Sequence, residues 1–430
     1  MPDKTISLHT IGCRTNQAES AALRTGFERA GHLITDTEPG DIAVINTCTV
    51  THKSEADCRR LINRLRRQNP DIRIALTGCQ AQLHAEELKD IPNVCWIVSN
   101  PDKFALVDII TRCEESAIPA RKNEYTPHFT HPYPAIDPAH TRANLKIQDG
   151  CDEFCAYCEV PFARGRVRSR EFNDILREAD ELAGAGYKEI ILTGIHVGKY
   201  RHNGNTLIDV IKALEDMENI QRIRLSSIEP TEILEELIRH MAGQSKLCRY
   251  LHIPLQHGSD DILKAMGRKY TAAEFSRTVR RAAETVTDIC IGTDVIVGFP
   301  GERDQHFKSM YDLLSELPVH YFHVFSYSDR PNARARNLSN RVNDFVKFTR
   351  SRKLRALSRN KRTAFYRNFI GRTVDVLFEQ QKDGQWKGLT DNFLSIAVHS
   401  EQDLSNTVQA VRINRLRDDS ILQGDIVYSK

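Results

Sequence analysis

Cys151-Asp-Glu-Phe-Cys155-Ala-Tyr-Cys158 follows directly on the strand-like run Ala143-Asn-Leu-Lys-Ile147 and on Gly150. Three thiols at C-x3-C-x2-C spacing can ligate three corners of a cubane iron-sulfur cluster, whereas a structural zinc site needs four nitrogen or sulfur ligands. No His or Cys lies within the next twenty residues to complete a zinc site. The spacing therefore predicts a [4Fe-4S] cluster with one iron open to an exogenous ligand. The competing reading is three core or zinc cysteines that borrow a remote ligand.

Downstream, strand-like runs alternate with amphipathic stretches: after 143–147 come 189–192, 222–226, 250–255, 289–297 and 320–325. Leu207, Val210, Ile211 and Leu214 recur at helical spacing between two of them. Six βα units predict a partial parallel (βα)6 barrel over 143–366, with functional residues at the carboxyl ends of its strands. Upstream, three runs end in cysteine: Thr5 to Cys13, Asp41 to Cys48 and Ile72 to Cys79, with a fourth run at Val94 to Val98. Separations of 35 and 31 residues between those cysteines suit successive βα units of a parallel α/β domain over 1–118. Strand ends share one edge of such a sheet, so Cys13, Cys48 and Cys79 are expected to converge there as a second metal site.

Pro119, Pro127, Pro132, Pro134 and Pro138 mark 119–142 as an extended linker. Residues 341–372 carry eleven basic residues against Asp344, a local +10. The part from 367 to 430 has β-type runs at 374–378, 393–398, 408–416 and 425–428, with Gly384, Gly388 and Gly424 as turn signals. It reads as a small all-β, OB-like barrel of the kind that binds oligonucleotides. The fold class is thus α/β with a β-barrel appended.

The 430 residues carry a net charge of only +3, and 40% are hydrophobic. Eleven cysteines without a secretory apolar segment argue against a disulfide framework, and no apolar stretch is long enough to span a membrane. The profile is that of a soluble, cytoplasmic protein. Five cysteines outside the two triads (Cys58, Cys95, Cys113, Cys248 and Cys290) are assigned to packing. Arg59, Arg60, Arg64, Arg66 and Arg67 make one face of a predicted helix cationic.

The C-x3-C-x2-C motif after the first barrel strand resembles the radical S-adenosylmethionine superfamily. Over essentially its whole length the chain resembles the methylthiotransferase family within it. The matches are Ile11-Gly-Cys-Arg-Thr-Asn-Gln-Ala-Glu-Ser20, Asn46-Thr-Cys-Thr-Val50, Thr77-Gly-Cys-Gln80, Pro161 to Arg170, Leu192 to Tyr200, Ser226 to Pro230, His252 to Gln256 and Asp294 to Glu302. The first two look most like the branch acting on N6-threonylcarbamoyladenosine beside the tRNA anticodon. The branches acting on isopentenyladenosine or on a ribosomal-protein aspartate differ around these cysteines.

The resemblance implies two [4Fe-4S] clusters, an auxiliary one on Cys13, Cys48 and Cys79 and a radical one on Cys151, Cys155 and Cys158. It also implies S-adenosylmethionine as cofactor, a carboxyl-terminal RNA-binding barrel called TRAM, a tRNA anticodon loop as substrate and an external electron donor protein. One S-adenosylmethionine methylates a sulfur at the auxiliary cluster. A radical from a second takes hydrogen from C2 of the adenine, to which the methylthio group transfers.

Tyr157, Thr193, Gly194, Ser226, Ser227 and Glu229 are candidate cofactor contacts, each also open to a loop, turn or barrel-mouth role. His196 is open between a substrate contact and a structural histidine. Two positions depart from the family pattern: His257 replaces a small residue, and Glu159 places an anion beside the last ligand, where it is expected to lower the cluster's potential. A rival from another class is a non-enzymatic iron-sulfur RNA-binding protein.

Overall fold

The structure, a computed structural model, describes residues 4–36, 39–112, 128–418 and 420–427. Its amino-terminal part is a parallel sheet in the order Leu33–Thr35, Thr5–Thr10, Ile42–Thr47, Arg73–Gly78, Val94–Ile97. Ile42 and Val44 join one apolar cluster with Trp96, and Ala43 and Ile45 join another with Leu76. Both faces are covered, so the central strand Ile42–Thr47 is buried along its whole length rather than on alternate residues. The edge strand Leu33–Thr35 is an addition to the four expected runs; three residues are too few for a periodic signal.

The six expected barrel strands are present as Arg142–Lys146, Glu189–Thr193, Arg222–Leu225, Tyr250–His252, Cys290–Val297 and Tyr321–Ser326. They form two three-stranded parallel sheets, joined edge to edge by bridges Ile223↔Leu247 and Ser227↔His252. The result is a six-stranded arc whose outer face packs on the intervening helices through Leu182, Val210, Phe275 and Leu314.

The carboxyl-terminal part is a closed barrel of Thr373–Lys382, Gln385–Leu389, Ser395–Val398, Val408–Leu416 and Leu422–Ile426. Gln385–Leu389 lay hidden because Gly388 reads as a turn. Gly388 and Gly424 instead sit inside strands, where an added Cβ would come within 2.4 Å of the Leu377 carbonyl oxygen and 2.3 Å of that of Arg412. Only Gly384, at φ +73°, serves as a turn. The barrel is seated on the arc by Arg222, which donates to Leu389 and Asp375 carbonyls at 2.9 Å, and by the Arg249–Asp391 pair at 2.7 Å.

One expectation is corrected. Over 128–142 the proline-rich segment is packed, not a free linker: His128–Phe129 pairs with Arg168–Arg170, and His131 and Ala135 are buried. Glu178 explains this, accepting from the Ala135 amide at 2.8 Å. Pro119, Pro127 and Cys113 lie outside the described residues.

The basic stretch forms the helix Asp344–Arg367, and much of its charge is used internally. Arg350 pairs with Glu302 at 2.6 Å, Arg372 with Asp288 and Arg341 with Asp329. Lys361 donates to Ser315 and Leu317 carbonyls. Arg352, Lys353, Arg359 and Arg367 remain exposed, and Arg352, Arg359 and Arg367 fall along one stripe at intervals of seven and eight residues. On the helix His52–Gln68, Arg59, Arg60 and Arg66 are engaged by Glu87, Asp57 and Asn93. No helix among the described residues is long and apolar enough to cross a membrane.

Candidate active site

Cys13, Cys48 and Cys79 stand at the carboxyl ends of three adjacent parallel strands, as the sheet geometry requires. Cys13 caps the helix Arg14–Arg29, Cys48 follows its strand, and Cys79 opens the helix Cys79–Leu83. Asn16 ties the first two ends together by donating to the Ile11 and Thr47 carbonyls at 2.8 and 3.0 Å, and the Thr47 hydroxyl joins the third by donating to the Thr77 carbonyl at 2.6 Å. Burial, then the neighbouring Cys79, pushes the Cys48 thiol up to about 12. Such a thiol is protonated near neutrality unless a metal takes the proton's place.

The second triad lies on a loop fixed at both ends. At Gly150, φ is +72° and a Cβ would sit 1.9 Å from the Arg166 carbonyl oxygen, so a side chain is excluded. Ala156 donates to the Met266 carbonyl at 2.8 Å and accepts from the Ala335 amide at 2.8 Å. Amides of Glu153 and Val160 point at the Cys151 and Cys158 sulfurs at 3.5 and 3.4 Å. Arg268 reaches the Cys155 sulfur at 3.3 Å and also binds Glu229 and the Tyr157 hydroxyl. Sequence reasoning missed Arg268, which belongs to no motif and arrives from a distant helix end.

Both triads suit a cubane better than a single ion. Among the described residues, the one group of three His, Cys, Asp or Glu ligand atoms within 4.8 Å of one another is His252, Asp294 and His323. Each cysteine triad is therefore wider than the ~3.8 Å sulfur separation of a tetrahedral zinc thiolate with 2.3 Å bonds. A cubane spreads its ligands over separate irons.

A cavity of about 870 Å³ occupies the inside of the arc. Cys13 and Arg14 line it from the first domain, Thr193, Gly194, Ser226 and Ser227 from the strand ends, and Tyr366 and Phe393 from the carboxyl-terminal side. The Thr193 and Ser226 hydroxyl oxygens are buried without a hydrogen-bond partner among the described residues. Unpaired buried hydroxyls are costly, and a polar ligand at the strand ends relieves them. A second cavity of about 190 Å³ has Cys79 of one triad and Cys158 of the other on its wall, with Tyr157 and Glu159. Tyr157 and Glu229 do not line the large cavity; they are held on the far side of the cluster loop by Arg268.

His196 sits between Cys151, at 3.9 Å from its sulfur, and Glu232, at 3.1 Å. Glu159 is buried and joins three segments, accepting from the Thr49 hydroxyl at 3.2 Å and from the Asn332 amide at 2.9 Å. His257 is fully buried, takes the Ser259 amide at 3.0 Å and lies 3.5 Å from Glu302, a structural position. Cys58, Cys248 and Cys290 are buried in apolar clusters, and Cys95 is half-buried.

The two triads are linked by a buried ionic cluster that the sequence did not disclose. Glu19, on the helix that Cys13 caps, receives Lys146 at 2.6 Å, Arg164 at 2.9 Å and Lys103. Arg164 and Lys146 also bind Asp149, two residues before Cys151, at 3.0 and 2.8 Å. Burial opposes the charge on Glu19, but Arg164, Lys103 and Lys146 hold its carboxyl well below the ordinary range.

Residues 145–314 match the radical SAM superfamily, and residues 5–99 match the uncharacterized protein family UPF0004. The chain is 35% identical to the threonylcarbamoyladenosine tRNA methylthiotransferase MtaB of Bacillus subtilis, over 95% of this chain and 93% of that one. It is 33% identical to the protein of the same name from Aquifex aeolicus, over 94% and 99%. It is 31% identical to a tRNA-2-methylthio-N(6)-dimethylallyladenosine synthase of Desulfotalea psychrophila, over 90% and 91%. The radical S-adenosylmethionine methyltransferase TsrM of Kitasatospora setae shares the fold at a TM-score of 0.56, with 16% identity over 78% of this chain and 77% of that one. A partial parallel barrel that carries C-x3-C-x2-C on its first loop, joined to a three-cysteine sheet edge and matched along its length by these relatives, belongs to the radical S-adenosylmethionine methylthiotransferase family.

Proposed function

We propose that this chain installs a methylthio group at C2 of N6-threonylcarbamoyladenosine, beside the anticodon of tRNA. The observation that carries the reading is the approach of the two cysteine triads, which put Cys79 and Cys158 on one cavity wall. When bound, S-adenosylmethionine and the two [4Fe-4S] clusters supply a carbon-centred radical and the sulfur, for which no side chain has the oxidising power.

The chain's own residues hold and orient these groups. Cys151, Cys155 and Cys158 would hold the radical cluster, and Cys13, Cys48 and Cys79 would hold the auxiliary one. Thr193, Gly194, Ser226 and Ser227 offer the methionyl group polar partners at the strand ends. Arg268, bound to Glu229 and to the Tyr157 hydroxyl, braces the loop that carries the second triad. His252 and Asp294, 3.0 Å apart on the cavity wall, are placed for an adenine edge.

The exposed stripe of Arg352, Arg359 and Arg367 takes phosphates of an anticodon stem, and the loop, whose bases are open to stacking, delivers the modified adenine to the cavity. Reducing equivalents come from an external donor protein. Mass spectrometry of tRNA nucleosides from a deletion strain tests the reading: 2-methylthio-N6-threonylcarbamoyladenosine should vanish while its unmethylthiolated precursor accumulates. An unchanged level refutes it.

A further inference from the structure

On the wall of the large cavity, Arg14 is the cation that no side chain among the described residues answers. It begins the helix Arg14–Arg29, directly after Cys13, and its first turn contains no acidic residue. The helix dipole disfavours a cation at that end. The other two arginines on the cavity wall are engaged: Arg142 pairs with Glu379 at 2.7 Å, and Arg362 donates to the Tyr366 hydroxyl at 3.0 Å while lying over that ring. The acidic groups on the wall are taken as well, Glu379 by Arg142 and Asp294 by His252 at 3.0 Å. Arg14 has neither an ion pair nor a hydrogen bond among the described residues, and it lines the cavity.

A half-buried guanidinium without a counter-charge is unfavourable in the free protein and becomes favourable when a planar anion arrives. The threonylcarbamoyl group ends in a carboxylate; a dimethylallyl group carries no charge. We propose that Arg14 grips the threonyl carboxylate of the substrate nucleoside and so selects threonylcarbamoyladenosine over its apolar counterpart. This rests on the substrate reading above and assigns its selectivity to one side chain. The guanidinium fork suits a carboxylate in a two-bond geometry that lysine cannot reproduce.

The test measures anaerobic binding of reconstituted holoenzyme to three anticodon stem-loops. One bears N6-threonylcarbamoyladenosine, one its methyl ester and one unmodified adenosine. A charge-assisted bidentate pair predicts that the wild type prefers the acid over the ester by about ten-fold to a hundred-fold. In Arg14→Gln that ratio should fall to near one, and Arg14→Lys should retain part of it. Iron and sulfide equal to wild type in both variants separate this effect from loss of the neighbouring cluster.

The proposal is overturned if Arg14→Gln keeps the ratio. It is overturned equally if the variant weakens all three loops alike, as loss of a phosphate contact would, or weakens only S-adenosylmethionine binding. Turnover distinguishes the two levels of inference: a wild type that methylthiolates the threonylcarbamoyl loop while Arg14→Gln keeps the ratio refutes Arg14 alone. A wild type that turns over only a dimethylallyl loop refutes the substrate reading itself.

Discussion

Replacing Glu19 by Gln should destabilise the protein more than any surface charge change and should uncouple its two halves. Glu19 is fully buried and, with Asp149, faces Arg164, Lys103, Lys146 and Arg168. The variant keeps the shape but turns four cations against two carboxylates into four against one, and it aims an amide NH₂ at one of the cations. Breaking a buried pair in this way costs about 3–5 kcal/mol. Unfolding entropy is about 2.1 cal/mol/K per residue, or roughly 0.9 kcal/mol/K for a chain of this length, so a single cooperative transition should fall by about 4 °C.

Lys103 sets a pH dependence on that penalty. Burial, ahead of Glu19's opposing pull, already brings its ammonium down to about 8. In the variant it sheds its proton more readily, so the loss should be smaller near about pH 9 than near about pH 7. Anaerobic calorimetry of the holoprotein measures this, with Glu28→Gln as control, since Glu28 pairs with Arg24 at the surface and is worth under ~1 kcal/mol. Because Glu19 lies on the helix that Cys13 caps and Asp149 precedes Cys151, the variant should also form less methylthio product per 5'-deoxyadenosine released. A Glu19→Gln transition indistinguishable from that of Glu28→Gln would refute the reasoning.

The cluster assignments predict about eight irons and eight sulfides per chain, since each cubane holds four of each. Cys155→Ala should drop to about four and lose 5'-deoxyadenosine release, whereas Cys48→Ala should lose the same iron yet keep that release and fail at methylthiolation; full product from Cys48→Ala means the auxiliary site is misplaced. Gly150→Ala should disrupt the cluster loop, because its Cβ meets the Arg166 carbonyl at 1.9 Å at φ +72°, and iron analysis checks it. Glu178 governs acid stability: burial alone would raise its carboxyl, but Arg170 and His131 more than offset this and bring it from 4.5 to about 2. Its folded-state value is depressed, so the stabilisation is complete above its unfolded value and is lost as pH falls from there through the folded one. It amounts to roughly 3 kcal/mol, about 2 of which should disappear in urea titrations between about pH 5 and about pH 3, and Glu178→Gln should abolish that slope.

Elements whose signal is local were legible from residues alone. The C-x3-C-x2-C loop, the three cysteine-ended runs and the six barrel strands each repeat a pattern within a few residues, and strand direction then places their ends on one edge. Leu33–Thr35 is too short for periodicity, and Gln385–Leu389 contains a glycine that marks close backbone approach rather than a turn. Proline content at 128–142 reports backbone stiffness and says nothing of a partner such as Glu178.

What the sequence determined by itself is thus the order of most elements and the placing of two cysteine triads at strand ends. Only the tertiary structure decided which charges are spent and which are free. The local +10 at 341–372 is largely answered by Glu302, Asp288, Asp329 and backbone carbonyls, leaving a narrow stripe of cations. Arg14, one unexceptional basic residue in the sequence, is the arginine of the cavity wall left without a partner among the described residues. The reason is that a Coulomb interaction depends on distance in space: Glu19 and Arg164 are 145 positions apart in the chain and 2.9 Å apart in the fold.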